Sequence, residues 1–167
     1  MKKKLITIVT IVLIIFFLDQ ITKSYAINFL KETELELIPN ILKLKYTENT
    51  GGAFGVGQNS TMTFVITNII VLGIIIKFII MQIERIDIKT IFIISFVLAG
   101  GISNLIDRVV RGFVVDFIYC FPNTKLPIFN LADSFIVVGW ILLAFVFAIH
   151  TWKDKNTDIK KNNSKVE

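Results

Sequence analysis

The segment Phe129-Asn-Leu-Ala-Asp-Ser-Phe-Ile-Val-Val-Gly-Trp-Ile-Leu-Leu-Ala-Phe-Val-Phe-Ala-Ile149 decides how the rest of the chain is read. From Phe135 to Ile149 it carries no charge, and with its flanks it approaches the roughly 20 apolar residues that cross a bilayer. Asp133 nevertheless stands at its entrance. Carried into hydrocarbon, an ionised carboxylate costs about 2.5 to 3.5 kcal/mol. The free N–H groups of a helix N-terminus offset part of that cost, because they favour negative charge.

Working outward, three more apolar segments lie at about Leu5–Ala26, Met62–Met81 and Ile88–Ile106. With 54% hydrophobic residues and a mean hydropathy of +0.71, the 167-residue chain is too apolar for an ordinary soluble fold. The reading is a membrane protein, mainly α: one domain over residues 1–152 built as a bundle of four transmembrane helices, then a basic, disordered cytoplasmic tail over 153–167. Met1-Lys-Lys-Lys4 followed by Leu5–Leu18 has the layout of a secretory signal, and Ser24-Tyr-Ala26 is a weak small-x-small site. With three spans still to come, the first segment is read as an uncleaved helix.

The net charge of +5 does not point to nucleic acid. Lys2, Lys3, Lys4, Lys153, Lys155, Lys160, Lys161 and Lys165 all flank apolar segments, where they anchor to anionic headgroups. One cysteine, Cys120, excludes an intramolecular disulfide, and one histidine, His150, leaves no His/Cys set for a structural zinc. The chemistry inferred below needs neither metal nor organic cofactor.

The positive-inside rule, applied to the N-terminal lysines, the Gln82–Lys89 connection and the C-tail, puts both termini in the cytoplasm. Trp152 then fits an interfacial anchor, and Lys77 can snorkel. Two outer connections follow. Ile41-Leu-Lys-Leu-Lys-Tyr-Thr47 alternates like a half-buried strand and leads into the turn-rich Gly51–Gly57. Gly112–Phe121 favours β structure but is interrupted by Asp116, with Pro122 and Pro127 as breakers. A small extracytoplasmic β element resting on the bundle is expected.

This topology gathers polar residues at the outer level: Asp19 and Lys23 one turn apart, Asn49, the stripe Gly100, Asn104 and Arg108 with Asp107 nearby, then Asp116, Asn130 and Asp133. Interfacial capping accounts for some of them, and Asp19 with Lys23 reads as a structural ion pair. Asp116 and Asp133 admit a sharper reading. Two carboxylates brought together share a proton, so one activates a water while the other protonates the departing amine. The helix end favours an ionised Asp133 and leaves the shared proton on Asp116. His150, at the opposite face, gives no support to a serine or cysteine mechanism.

Asp19-Gln-Ile-Thr-Lys23, Asn49-Thr-Gly-Gly-Ala-Phe-Gly55, Gly100-Gly-Ile-Ser-Asn-Leu-Ile-Asp-Arg108 with Gly112-Phe-Val-Val-Asp-Phe117, and Phe129-Asn-Leu-Ala-Asp133 together resemble the lipoprotein signal peptidase family, signal peptidase II. The resemblance implies an aspartic endopeptidase of the bacterial cytoplasmic membrane. Such an enzyme removes the signal peptide from diacylglyceryl-modified prolipoproteins, cutting on the N-terminal side of the lipobox cysteine. It further implies catalytic roles for Asp116 and Asp133, and supporting or substrate-binding roles for Asp19, Lys23, Asn49, Gly51, Asn104, Arg108 and Asn130. Ala132 matches a small residue where close substrate approach disfavours bulk. An outer β-cradle, contact with membrane lipid and inhibition by globomycin-like cyclic peptides are implied as well. Ser103 replaces a common Gly and Gly52 a common Ala, so the local spacing of the third span is open. The rivals are a small transporter or channel subunit, which would spread polar residues through the membrane thickness, and a non-catalytic adaptor, which would not need either aspartate.

Overall fold

The computed structural model describes residues 1–52, 57–122 and 124–163, with side chains of 154 and 156–163 left aside. Four helices and three strands follow in the order α1 (Lys2–Phe29), β1 (Leu35–Ile38), β2 (Leu42–Asn49), α2 (Thr61–Gln82), α3 (Ile88–Arg111), β3 (Val114–Cys120) and α4 (Leu131–Asn163). All four helices are long and apolar enough to cross a membrane. In α1, α2 and α4 large apolar side chains face outward, as a lipid solvent requires.

The central helix is α3, packed against α1, α2 and α4. Small residues let its neighbours approach: a Cβ on Gly100 would lie 2.4 Å from the Ala132 carbonyl oxygen of α4, and one on Gly101 would lie 2.9 Å from Leu72 of α2. One core cluster joins α2 to α3 through Leu72, Ile79, Ile91, Ile94 and Leu98, and another joins α1 to α3 through Ile11, Ile15 and Ala99.

The strands form an antiparallel sheet in the order β1-β2-β3, with Thr47 opposite Asp116 and Asn49 opposite Val114. A third cluster seats this sheet on the end of α1: Val115 and Phe117 of β3 pack against Ala26 and Leu30. Because side chains alternate along a strand, Val114 and Asp116 face the other way. That parity aims the Asp116 carboxylate away from this cluster.

The sequence expectations need adjustment at several edges. Asp116 does not interrupt its strand but sits inside it, since β3 is held by cross-strand pairing on one side and by Phe129 on the other. The exposed β1 carries too short a pattern to be read alone. Helix α3 runs beyond Ile106 to Arg111, where Gly112, at φ 83°, provides the left-handed stop. Helix α4 starts at Leu131 and its backbone stays helical to Asn163, across much of the stretch read as a disordered tail; Lys, Asp and Asn there include no Pro or Gly breaker. Part of the Gly51–Gly57 run, 53–56, lies outside the described residues, as do 164–167.

Candidate active site

Asp133 sits in the first turn of α4, and a reciprocal cap holds it there. The Asp133 backbone N–H donates to Asn130 Oδ1 at 2.8 Å, while the Asn130 N–H donates to Asp133 Oδ2 at 3.2 Å. This is the geometry of a capping box, with Asn and Asp in the two roles. The other Asp133 oxygen accepts from Asn104 Nδ2 of α3 at 2.7 Å. Both oxygens are therefore oriented, and each keeps a further lone-pair direction.

Asp116 is held just as firmly from different elements. Its Oδ1 accepts from Asn130 Nδ2 at 2.7 Å, and its Oδ2 from Asn49 Nδ2 at 2.9 Å. Asn130 thus engages both carboxylates at once, one through its side-chain amide and one through its backbone N–H. Asn49 is fixed in turn by the Gly51 N–H on its Oδ1 at 2.9 Å, and the Gly51 carbonyl accepts from Arg108 Nη2 at 2.8 Å. The Arg108 guanidinium lies over the Phe64 ring at 5.5 Å, and its Nε has no partner among the described residues. Room for that ring explains Gly52, whose Cβ would meet Phe64 at 2.8 Å.

Burial, and after it the negative charge of Asp133, pushes the Asp116 carboxyl up to about 7; hydrogen bonds from Asn49 and Asn130 pull it back only in part. A carboxyl so placed holds a proton at neutral pH in a large fraction of molecules.

Behind the carboxylates lies a second, buried layer of charge. Lys23 Nζ donates to Asp19 Oδ2 at 2.7 Å, Asp107 Oδ2 at 2.8 Å and Asn104 Oδ1 at 2.9 Å, which uses all three ammonium protons. Asp19 accepts from Ser103 Oγ at 2.6 Å and, with its other oxygen, from the Ala132 N–H at 2.8 Å. A carboxylate on α1 thereby satisfies an orphan N–H in the first turn of α4. Asp107 also pairs with Arg111 and accepts from the Val115 N–H at 3.3 Å, and Gln20 bridges Ser103 and Asp107 at 3.0 Å each. Two carboxylates and two cations balance, and each buried ion has several partners, the condition under which such a cluster is tolerated.

All ten residues singled out in the sequence meet at this end of the bundle. Ala132 is fully buried, and its backbone carbonyl lies against Gly100 of α3. Gln20 and Arg111 were not singled out, Ser103 only as a departure from a common Gly, and Asp107 only as a neighbour. The Asn130-x-x-Asp133 spacing is a legible capping signal, whereas the partners of Gln20 are 83 and 87 residues away and leave no local trace.

Three cavities open at the carboxylates. One of about 660 Å³ is lined by Asn49, Arg108, Asp116, Asp133 and the apolar Ile136 and Val137. A crevice of about 290 Å³ between α2, α3 and α4 includes Phe64, Asn68, Arg108, Asp133 and Trp140. A third, of about 410 Å³, includes Thr47, Glu48, Asn49 and Asp116. Further along the bundle, a space of about 620 Å³ shares Ile75, Val97 and Trp140 with the crevice, so one apolar cleft runs along α3 between α2 and α4.

The family model described as signal peptidase (SPase) II matches residues 11–149. The lipoprotein signal peptidase of Caldanaerobacter subterraneus subsp. tengcongensis is 39% identical over 141 residues, covering 83% of this chain and 93% of that protein. The one from Streptococcus agalactiae serotype V is 35% identical over 157 residues, covering 93% and 97%. A bacterial membrane enzyme solved by the in meso method at 2.3 Å resolution superposes with a TM-score of 0.75 at 32% identity, over 87% of this chain and 89% of that one. Four membrane-length helices, a three-stranded sheet on one end and a matching family model over most of the length lead to one conclusion: the chain belongs to the signal peptidase II family, the aspartic peptidases that remove signal peptides from prolipoproteins.

Proposed function

We propose that residues 1–152 form a single peptidase domain in which Asp116 and Asp133 cleave diacylglyceryl-modified prolipoproteins on the N-terminal side of the lipobox cysteine. The observation that carries this reading is Asn130, whose amide donates to Asp116 while its backbone N–H donates to Asp133. A single residue thereby sets the two carboxylates relative to each other. Asp133, ionised, takes a proton from the attacking water; Asp116, protonated, gives one to the carbonyl oxygen. As the tetrahedral intermediate collapses, the departing amine receives a proton from the pair.

Asp19, Lys23, Asn49, Gly51, Asn104 and Asn130 position the carboxylates, and the Arg108 guanidinium, which lines the cavities beside Asp133, is a donor for a substrate carbonyl. The apolar cleft between α2 and α4 suits the signal helix, and the cavity along Ile136 and Val137 suits the acyl chains of substrate or membrane lipid. Globomycin-like peptides would compete there. Both termini face the cytoplasm, and the carboxylates lie near the outer face. Against a transporter, the buried polar residues gather at one end, with Ser95 the exception, and its hydroxyl bonds its own helix at the Ile91 carbonyl.

The test is purified wild type against Asp116→Asn and Asp133→Asn, each checked for an unchanged melting profile, with a diacylated prolipoprotein followed by gel shift. Each variant should lose at least about 100-fold in rate, the lower range for acid–base groups. Cleavage by either at the wild-type rate would remove the dyad assignment.

A further inference from the structure

The three cavities that meet at the carboxylates differ in what walls them. Ile136 and Val137 line one and Val71, Leu72 and Trp140 another, whereas the third sets Thr47, Glu48, Gln58 and Lys125 across from Pro127 and Ile128, beside Asn49 and Asp116. Granting the peptidase reading above, the signal helix occupies the apolar cleft and its end reaches Asp116. The chain beyond the scissile bond is extended, and its N–H and C=O groups cannot be left unpaired against apolar walls. Of the three branches, the one with the largest polar share of its wall is the route by which that downstream chain leaves.

Two charges border this branch, and they are not equivalent. Glu48 already accepts the Tyr46 hydroxyl at 2.7 Å, and Lys31 lies 5.5 Å over the Tyr46 ring. Lys125 is exposed, and no described residue engages its ammonium. The turn that leads into it is nevertheless tied to the sheet. Thr124 donates twice to the Phe121 carbonyl at 2.8 Å, the Tyr119 hydroxyl donates to the Pro122 carbonyl at 2.8 Å, and the Phe121 N–H donates to the Ile41 carbonyl at 2.7 Å. A cation with no partner among the described residues thus stands at the border of the exit route.

We infer that Lys125 reads the charge of the substrate residues that follow the lipidated cysteine, favouring acidic side chains over basic ones. The experiment uses three diacylated substrates whose second and third residues after the scissile bond are both Asp, both Asn or both Lys, in zwitterionic detergent so that no anionic lipid competes. For the wild type, kcat/KM should fall in that order by about two- to five-fold per step, the size that exposed ion pairs produce. The spread should collapse near 0.5 M salt, where charges are screened within roughly 4 Å. Lys125→Glu should invert the order, and Lys125→Gln should flatten it. Equal wild-type rates on all three substrates, or an unchanged order in Lys125→Glu, would overturn the assignment and leave the peptidase reading intact. Failure of the wild type to cleave any of them would remove both.

Discussion

At the residue scale, Asp116 shows how environment turns an ordinary carboxyl into an acid for neutral pH. Burial raises it first and the charge on Asp133 second, to about 7. A carboxyl raised in the folded state binds its proton more tightly there than in the unfolded chain. Its contribution to stability is complete below about pH 4 and is lost as pH rises through about 7. The reaction proposed here needs that proton, so kcat/KM should drop on the alkaline side of about 7. Carboxyl-carbon NMR of Asp116 should report the same midpoint. In Asp133→Asn the midpoint should move down, since one of its two raising causes is gone, without reaching the ordinary value, since burial remains. A midpoint unmoved by Asp133→Asn would show that the two carboxylates do not sense each other. Both were legible in the chain as carboxylates brought to one end of the bundle. Asn49, Asn104 and Asn130 were legible beside them as supporting residues, but not which carboxylate each would meet, because an Asn does not declare in sequence which oxygen it will meet.

At the element scale, parity, capping and close approach aim the side chains. Val115 and Phe117 bury one face of β3 against Ala26 and Leu30, which turns Asp116 to the other face. Asn130 caps α4 and thereby sets Asp133. Gly100 then fixes how near α4 lies to α3. A Gly100→Val change would drive its Cβ into the Ala132 backbone carbonyl, with no flexible side chain to yield. Overpacking of this kind costs about 1 to 3 kcal/mol. Thermal melts in detergent should show the drop, and activity should fall further than stability, because Asn104 would also lose its reach to Asp133. A variant as stable and as active as wild type would show that the helix contact does not set the site. Hydropathy located all four helices, yet it placed the start of α4 and the end of α3 several residues off. Apolar content marks the part of a helix that meets lipid, whereas the ends are decided by caps such as Asn130 and Gly112.

For the whole molecule, a multi-pass membrane protein of bacterial lipoprotein processing, the bundle gathers its buried charge at one end and leaves an apolar cleft along the rest. The proposed orientation can be checked in intact cells with Cys120→Ser as background. A membrane-impermeant thiol reagent should label Lys125→Cys from outside and should leave Arg85→Cys unlabelled until the membrane is broken; the reverse pattern would invert the topology. The chain by itself determined the membrane class, the four helices, the small β element resting on the bundle and the nomination of Asp116 and Asp133. Those features rest on local quantities: runs of apolar side chains, alternation along a strand, and motifs of fixed spacing. The tertiary structure alone decided that Lys23 spends its other two protons on Asp107 and Asn104, and that Asp19 holds the first turn of α4. Such contacts join residues about 80 to 113 positions apart. Charges buried in a bundle must find partners wherever the helices bring them, and no local pattern in the chain records which partner that will be.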